Sequence, residues 1–483
     1  MPPRLLALAV LALACQPPKP GDDADPPDPS TSSDPTTPVE QTTPPTTPPT
    51  DTVPVDVDIG DVTDLRLCET GGVVYLLASN GSDVYVDRTD DFGASWLPAP
   101  GRATHGGGGP VYSPQLACEG DVVVVAWEDE RDGSLGNHQI YANRSDDGGA
   151  TFLGQDLLLE DDPDGLTMSL APAVALAGGV AHVAWADNDA GAYDILVASS
   201  GAGGASWSAP VRLDSDGPGQ AYSARPQIAT SRDGTHVWVA WEDARDGASD
   251  IRFTASHDQG RTFRTDRRMD DDAPGAADSF EPRLCTDGGE RVSVVWHDRR
   301  NGEADVYASL SDSAGDDFLS TDLRLDSDPP GEGTSLFPDC AMDGATVHVV
   351  WEDRRVPDGA FDAYHRTLTG GLYGDETRLN AGVALGAANA QQAAVAVDGG
   401  TVLAAWADAR AADEGTGWAD VYGAFADRGA GFGGEVLLSD AYAEGASYKA
   451  ELQVVAASGW WLAAWIDGRG GGNEVLVRQG LLP

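Results

Sequence analysis

Lysine is almost missing from this chain. Of 483 residues only Lys19 and Lys449 are lysines, and 78 acidic side chains face 30 basic ones, for a net charge of −48. Phosphate binding needs clustered cations, so this charge argues against nucleic acid and anionic lipid headgroups as partners. Such a charge fits a soluble surface outside the cell, or one that gathers divalent cations. Helical periodicity is also missing, which argues against helical layers. The apolar run at residues 5–14 is ten residues long, about half of what a membrane-spanning helix requires. Familiar catalytic patterns are absent: no Cys-x-x-Cys, His-Glu-x-x-His, phosphate loop or Gly-x-Ser-x-Gly elbow occurs, and the eight His residues lack ligand spacing. His105 and the four glycines after it therefore read as a loop.

What the chain has in abundance is repetition. An apolar run, a Trp, an Asp two residues on and usually an Arg two further recur at Trp127, Trp185, Trp241, Trp296, Trp351, Trp406 and Trp465. The spacings are 58, 56, 55, 55, 55 and 59 residues, and an eighth copy at residues 73–86 has Leu77 in the Trp place. Such periods mark units that bury their apolar faces only against neighbours. In one unit, residues 226–229, 236–241, 250–255 and 264–269 read as strands, separated by turns at Asp233-Gly234 and Asp246-Gly247 and by a longer connection. Four short antiparallel strands per unit are the pattern of a propeller blade. The expectation is an all-β propeller of about eight four-stranded blades over residues 53–483, with seven as the alternative. The last unit ends after its third strand, so the β-rich residues 53–59 supply its fourth and close the ring. We expect a monomer.

The N-terminus reads as a targeting segment: Arg4, the apolar run, then Ala12-Leu13-Ala14-Cys15. It resembles a bacterial lipoprotein signal. That resemblance implies removal of residues 1–14, acylation of Cys15 and, with Gln16 rather than Asp following, an outer-membrane or cell-surface location in a Gram-negative bacterium. The membrane would then be met through the lipid anchor alone. An ordinary secretory signal is the alternative. Residues 15–52 are rich in Pro, Thr, Asp and Ser and form a linker with little to bury, reaching up to roughly 100 Å when extended. The other cysteines sit at matching repeat positions. Cys68 and Cys118 lie nine residues before Leu77 and Trp127, and Cys285 and Cys340 lie eleven before Trp296 and Trp351. Export favours Cys68–Cys118 and Cys285–Cys340 disulfides between neighbouring units. Four buried thiols are the alternative, since a bridge needs Cα atoms within about 7 Å.

Three connections between third and fourth strands carry Ser/Thr-x-Asp-x-Gly-x-Thr/Ser-Trp/Phe, at residues 89–96, 145–152 and 256–263. Residues 200–207, 311–318 and 425–432 keep parts of it. In such a turn Asp and hydroxyl side chains take up backbone N–H groups, and Gly permits positive φ. The motif resembles the Asp box of the sialidase-like, BNR-repeat propellers, a likeness covering residues 62–483. It implies that the boxes are structural and lie away from the binding face.

The Trp-x-Asp-x-Arg hairpins are candidates for that face. They offer Asp129 and Arg131, Asp243 and Arg245, Asp298 and Arg300, Asp353 and Arg355, and Asp408 and Arg410, with a seventh copy at Asp467-Arg469; Asp189 replaces Arg in the Trp185 copy. Residues two apart share a strand face, and a feature written seven times is more simply a brace for turns and blades. A third motif, Asp214-Ser215-Asp216, Asp270-Asp271-Asp272 and Asp326-Ser327-Asp328, leads into Ser223-x-x-Pro226, Ser279-x-x-Pro282 and Ser335-x-x-Pro338. Oxygen-rich Asp-x-Asp loops can hold Ca²⁺, making Asp214, Asp216, Asp270, Asp272, Asp326 and Asp328 metal candidates; turn capping is the alternative, and no other cofactor is indicated.

The family resemblance also raises sialidase activity, which in that family implies a three-Arg clasp, a Tyr–Glu nucleophile pair and an Asp acid/base. Arg225, Arg283, Arg300 and Glu281 could furnish part of such a site. The first unit reads Leu65-Arg66-Leu67-Cys68, without the Arg-Ile-Pro motif of active members, and Arg recurs once per blade instead of standing as three isolated residues. The sequence therefore favours a surface-anchored, non-catalytic propeller binding a glycan or protein, with Tyr112, Tyr222 or Phe280 for stacking. A hydrolase acting on acidic sugars and a structural envelope protein are the alternatives.

Overall fold

In the computed structural model, residues 53–55, 59–106, 109–131, 137–160, 167–201, 203–410, 419–427, 430–439, 449–468 and 472–483 are described. The signal, Cys15 and the linker lie outside them, as do Gly107, Gly108, Ala202, Gly429 and Arg469. Among the described residues there is no helix. The strands form eight antiparallel sheets, seven of four strands and one of five. The inner strands of blades 1 to 8 are Asp64–Thr70, Val111–Glu119, Ser169–Ala177, Ser223–Thr230, Ser279–Thr286, Thr334–Asp343, Ala390–Asp398 and Lys449–Ala457. Each touches the next, and the eighth touches the first, so eight blades close a ring. The closing strand is Val53–Val55, which pairs with Glu474–Leu481, Val53 opposite Val477.

The Trp of each repeat fills the wedge between blades. Trp127 packs with Tyr75, Leu77 and Val86 of blade 1, and Trp241 with Ala184, Ile195 and Val197 of blade 3. All seven repeat Trp residues are fully buried, as is Leu77 in the Trp place of blade 1; losing such a ring costs about 3–5 kcal/mol. Both disulfides form between inner strands of neighbouring blades, Cys68–Cys118 and Cys285–Cys340, each with Cα atoms 6.0 Å apart.

Two features depart from the sequence reading. The outer strands of blades 1 to 7 are only two paired residues long, such as Arg267–Arg268 where residues 264–269 were expected, and that of blade 8 is three, a short edge that resists pairing with other chains. Blade 6 carries an extra pair, Leu372–Tyr373 on Leu368–Thr369. Gly370 and Gly371, with φ of 55° and 82°, make the tight turn that its two-residue hairpin needs.

The three complete boxes cap the opposite end of the blades from the Trp-x-Asp hairpins. In the first, the Thr89 hydroxyl donates to Asp91 Oδ1 at 2.8 Å and accepts the Gly93 N–H at 2.7 Å, while the Ser95 N–H and hydroxyl donate to Asp91 at 2.8 and 2.7 Å. Ser145-Asp147-Gly149-Thr151 and Ser256-Asp258-Gly260-Thr262 repeat these bonds.

Candidate binding site at the channel mouth

The Trp-x-Asp-x-Arg hairpins are knots of internal bonds. Asp243 accepts from Trp241 Nε1 at 3.2 Å, Ser223 Oγ at 3.0 Å and Arg245 Nε and Nη2 at 2.7 and 2.6 Å. Burial alone would raise its carboxyl; the Arg245 bonds overcome that and hold it below the ordinary range. Asp298 and Asp353 repeat the Trp, Ser and Arg partners, while Asp129 and Asp408 keep Trp and Arg. Each Arg then reaches an acidic residue just before the outer strand: Arg131 meets Asp156, Arg245 meets Asp266, Arg300 meets Asp322, Arg355 meets Glu376 and Arg410 meets Glu435. Arg131, Arg300, Arg355 and Arg410 lie over a Tyr ring, 3.9–4.2 Å from its centroid. This geometry gives the five Asp–Arg pairs a bracing role, with the terminal guanidinium nitrogens committed within the fold and the buried Nε of Arg131, Arg300 and Arg410 left without a bond among the described residues. Arg300, bound to Asp298, Asp322 and Asp271, stands apart from Arg225 and Arg283.

The Asp-x-Asp loops gain a third carboxylate from the start of the third strand: Asp194 joins Asp214 and Asp216, Asp250 joins Asp270 and Asp272, and Asp305 joins Asp326 and Asp328. An arginine already stands in each group. Arg268 Nη1 lies 3.6, 2.8 and 3.0 Å from Asp250, Asp270 and Asp272, with Arg212 and Arg324 in the same place in blades 3 and 5. A guanidinium thus supplies the positive charge that Ca²⁺ would bring.

The open space is at the ring's centre. Seven inner strands bulge at one level, where a non-Gly residue takes positive φ: Ser113, Ala171, Arg225, Glu281, Phe337, Gln392 and Glu451, with φ between 49° and 55°. The register of each of these strands slips there. The bulge turns side chains into the channel near the Trp-x-Asp hairpins. Two cavities result. One, of about 240 Å³, is lined by Arg66, Ser113, Arg225, Glu281 and Arg283. The other, of about 790 Å³, is lined among others by Arg66, Arg283, Phe337, Asp339, Glu352 and Glu451. Gln115 and Gln227 line both, and Gln391, Gln392 and Gln453 the larger.

Of the site candidates read from sequence, Arg225, Arg283 and Glu281 therefore come together. Arg225 Nη1 holds Glu281 at 3.0 Å and Glu242 at 3.2 Å. Arg66, Asp339, Glu352, Glu451 and Phe337 were missed. Arg66 is tied to Glu451 at 2.6 Å, which joins blades 1 and 8. Among the aromatic candidates, Phe280 leans on His297, and it is Phe337, 48 % exposed, that reaches the cavity. Tyr112, stacked on His138 at 4.9 Å, and Tyr222 are exposed outside the cavity lining. Burial pushes Glu352 up to about 7 and raises Asp339 as well.

No protein-family model and no curated protein matches the sequence. Solved structures resemble its fold. The polysaccharide lyase Uly1 aligns over 88% of this chain and 90% of its own, at 10% identity and a TM-score of 0.49. The Hadza microbial sialidase Hz136 aligns over 69% and 70%, at 15% identity and a TM-score of 0.39. The Penicillium chrysogenum α-L-arabinanase aligns over 77% and 93%, at 12% identity and a TM-score of 0.38. At such identities the likeness is one of fold alone.

Proposed function

We propose that the channel mouth binds a carbohydrate without cleaving it. The observation that carries this reading is the lining: five glutamine amides and the Arg283 guanidinium around a cavity that ends on the exposed ring of Phe337. An amide offers a donor beside an acceptor, which suits neighbouring sugar hydroxyls, and an aromatic ring suits the sugar's C–H face. Membership of the sialidase-like Asp-box propellers is supported by the three complete turns. Export, with anchoring through Cys15, is supported by the signal pattern and the two disulfides.

A second reading is hydrolysis of an acidic sugar. Glu352 favours it, because a buried carboxyl that holds its proton near neutrality is suited to protonate a leaving oxygen. The test pairs a saccharide array with a panel of fluorogenic glycosides, sialosides first, on the purified full-length protein. Saccharide binding without turnover is the expected result. Turnover that Glu352→Gln abolishes would replace the first reading by the second. Silence in both assays would refute both and leave a protein ligand.

A further inference from the structure

Among the described residues four Phe, Tyr or Trp side chains are exposed, and three of them stand at the channel mouth. Tyr112, 40 % exposed, immediately precedes the bulge residue Ser113 of blade 2, and Phe337 is itself the bulge residue of blade 6. Tyr222, 52 % exposed, stands one residue before the inner strand of blade 4 and within reach of the Arg225 charge. Each has a second ring behind it. Tyr112 stacks on His138 at 4.9 Å, Tyr222 meets Tyr193 edge-on at 5.4 Å, and Phe337 meets the buried His297 at 6.1 Å. Two of the backing rings are themselves held: His138 by Glu128 at 2.8 Å and Glu130 at 2.9 Å, and the Tyr193 hydroxyl by Met168 Sδ at 2.8 Å. Part of each exposed ring is thus spent on packing, which fixes its orientation, and the rest is open. The fourth exposed ring, Tyr373, lies beneath Arg366 in the extra hairpin of blade 6, at the opposite end of the blades.

The three rings belong to blades 2, 4 and 6, so each stands about a quarter-turn of the ring from the next. Where disulfides bridge neighbouring inner strands, their Cα atoms are 6.0 Å apart. Eight strands at that spacing put blades two apart roughly 11 Å from each other across the channel, and opposite blades roughly 16 Å. One pyranose cannot touch two of the rings. The space between them is continuous, because the two cavities, of about 240 and 790 Å³, share Arg66, Gln115, Gln227 and Arg283. Its hydrogen-bonding groups are spread in the same way. The glutamine amides come from blades 2, 4, 7 and 8. Arg283, of blade 5, makes no hydrogen bond or ion pair with any described residue.

We propose that the mouth holds an extended polysaccharide segment of at least three sugars, which stacks on Phe337, crosses the joined cavities and leaves over Tyr222 and Tyr112 on the other side. This rests on the carbohydrate reading above and adds the class of ligand: a stretch of polymer in place of a single terminal sugar. The open part of each ring takes the C–H face of one sugar, while the amides and Arg283 between the rings take up hydroxyls of the sugars that cross the lumen. The rings are held before the ligand arrives, so little side-chain freedom is lost on binding. Each sugar added to the chain meets its ring as part of a molecule already bound, so affinity climbs with length until the rings are covered.

The experiment is calorimetric titration of the full-length protein with oligosaccharide ladders of one to six units, built from glucose, N-acetylglucosamine, xylose or galacturonate. One ladder should bind, with affinity rising from the single sugar to at least the trisaccharide. In Tyr222→Ala and in Tyr112→Ala the advantage of the hexasaccharide over the disaccharide should shrink about tenfold. Both rings are exposed, so the melting temperature should not move. Tyr222→Phe, which keeps the ring, should keep the advantage, as should Tyr373→Ala at the far end of the blades. Equal affinity for the single sugar and the hexasaccharide overturns the extended site and leaves the carbohydrate reading standing. So does an advantage that is undiminished in both Tyr→Ala variants, or one lost equally in Tyr222→Phe. No binding of any ladder by the unaltered protein overturns both.

Discussion

Removing the carboxylate of Asp243 should unfasten blade 4. The side chain is fully buried and accepts five hydrogen bonds, from Trp241, from Ser223 and from three nitrogens of Arg245, its backbone N–H included at 3.1 Å. In Asp243→Ala, Arg245 keeps Asp266 at 3.1 Å, yet the indole N–H and the Ser223 hydroxyl lose their acceptor. Breaking a buried pair on one side costs about 3–5 kcal/mol. At ~2.1 cal/mol/K per residue, a propeller of roughly 430 residues unfolds with about 0.9 kcal/mol/K, so the melting temperature should fall by about 3–6 °C. Blade 3 is the internal control. There, among the described residues, Asp187 accepts only from the Ser169 hydroxyl and the Asp189 N–H, no guanidinium reaches it, and the Trp185 indole N–H is unbonded. Asp187→Ala should cost about 1–2 kcal/mol, or about 1–2 °C. Differential scanning fluorimetry of the two variants beside the parent decides. An Asp243→Ala protein that melts within 1 °C of the parent, or no later loss in Asp187→Ala, would refute the bracing role.

Three further outcomes follow from the same geometry. Burial first, with help from neighbouring carboxylates, pushes Asp214, Asp270 and Asp326 up to about 8. A raised folded pKa stabilises the protein below the unfolded value and is lost as pH rises through the folded one. The buried His182, His297, His348 and His365, all shifted downward, matter only below about 6.5. Melting temperature should therefore fall between pH 6.5 and 8.5, less steeply in Asp270→Asn; a flat or rising profile contradicts the triads. Because Arg268 fills its triad, excess Ca²⁺ should leave melting unchanged, while Arg268→Met should create a Ca²⁺-dependent rise; stabilisation of the parent by Ca²⁺ would show that the arginine is no substitute. The disulfides close separations of 50 and 55 residues, worth about 4 kcal/mol each. Alkylation without reductant should leave Cys68, Cys118, Cys285 and Cys340 unmodified, and labelling of any of them would break the pairing.

The ring itself was legible because its cause is local and repeated. A Trp every 55–59 residues must fill a wedge between neighbours, and eight frames make eight wedges. Matching cysteine positions also translate directly into neighbouring inner strands. The site was less legible because its residues converge from blades that are far apart in sequence. Arg66 meets Glu451 across 385 residues, and no spacing announces that. The bulge that turns side chains into the channel has no residue signature: Ser, Ala, Arg, Glu, Phe and Gln all take the positive φ. Its nearest signal is the Pro that follows in Pro114, Pro172, Pro226, Pro282 and Pro338. The Arg in each Asp triad did have a signal. Arg212, Arg268 and Arg324 each precede the first Asp of the loop by two residues, on the same face of the outer strand. Lys449 was equally unannounced. It stands at the inner-strand position that Ser occupies in blades 3 to 6 and bonds Asp467 at 3.0 Å.

On the function proposed above, the channel mouth binds and the hairpin knots brace. Saccharide-array binding by Arg283→Met and Arg300→Ala, each measured well below its melting temperature, tests this most directly. Arg283→Met should lose the parent's saccharide signal without losing stability, while Arg300→Ala should melt earlier and keep the signal. The reverse pattern, binding lost with Arg300 and kept without Arg283, would contradict it.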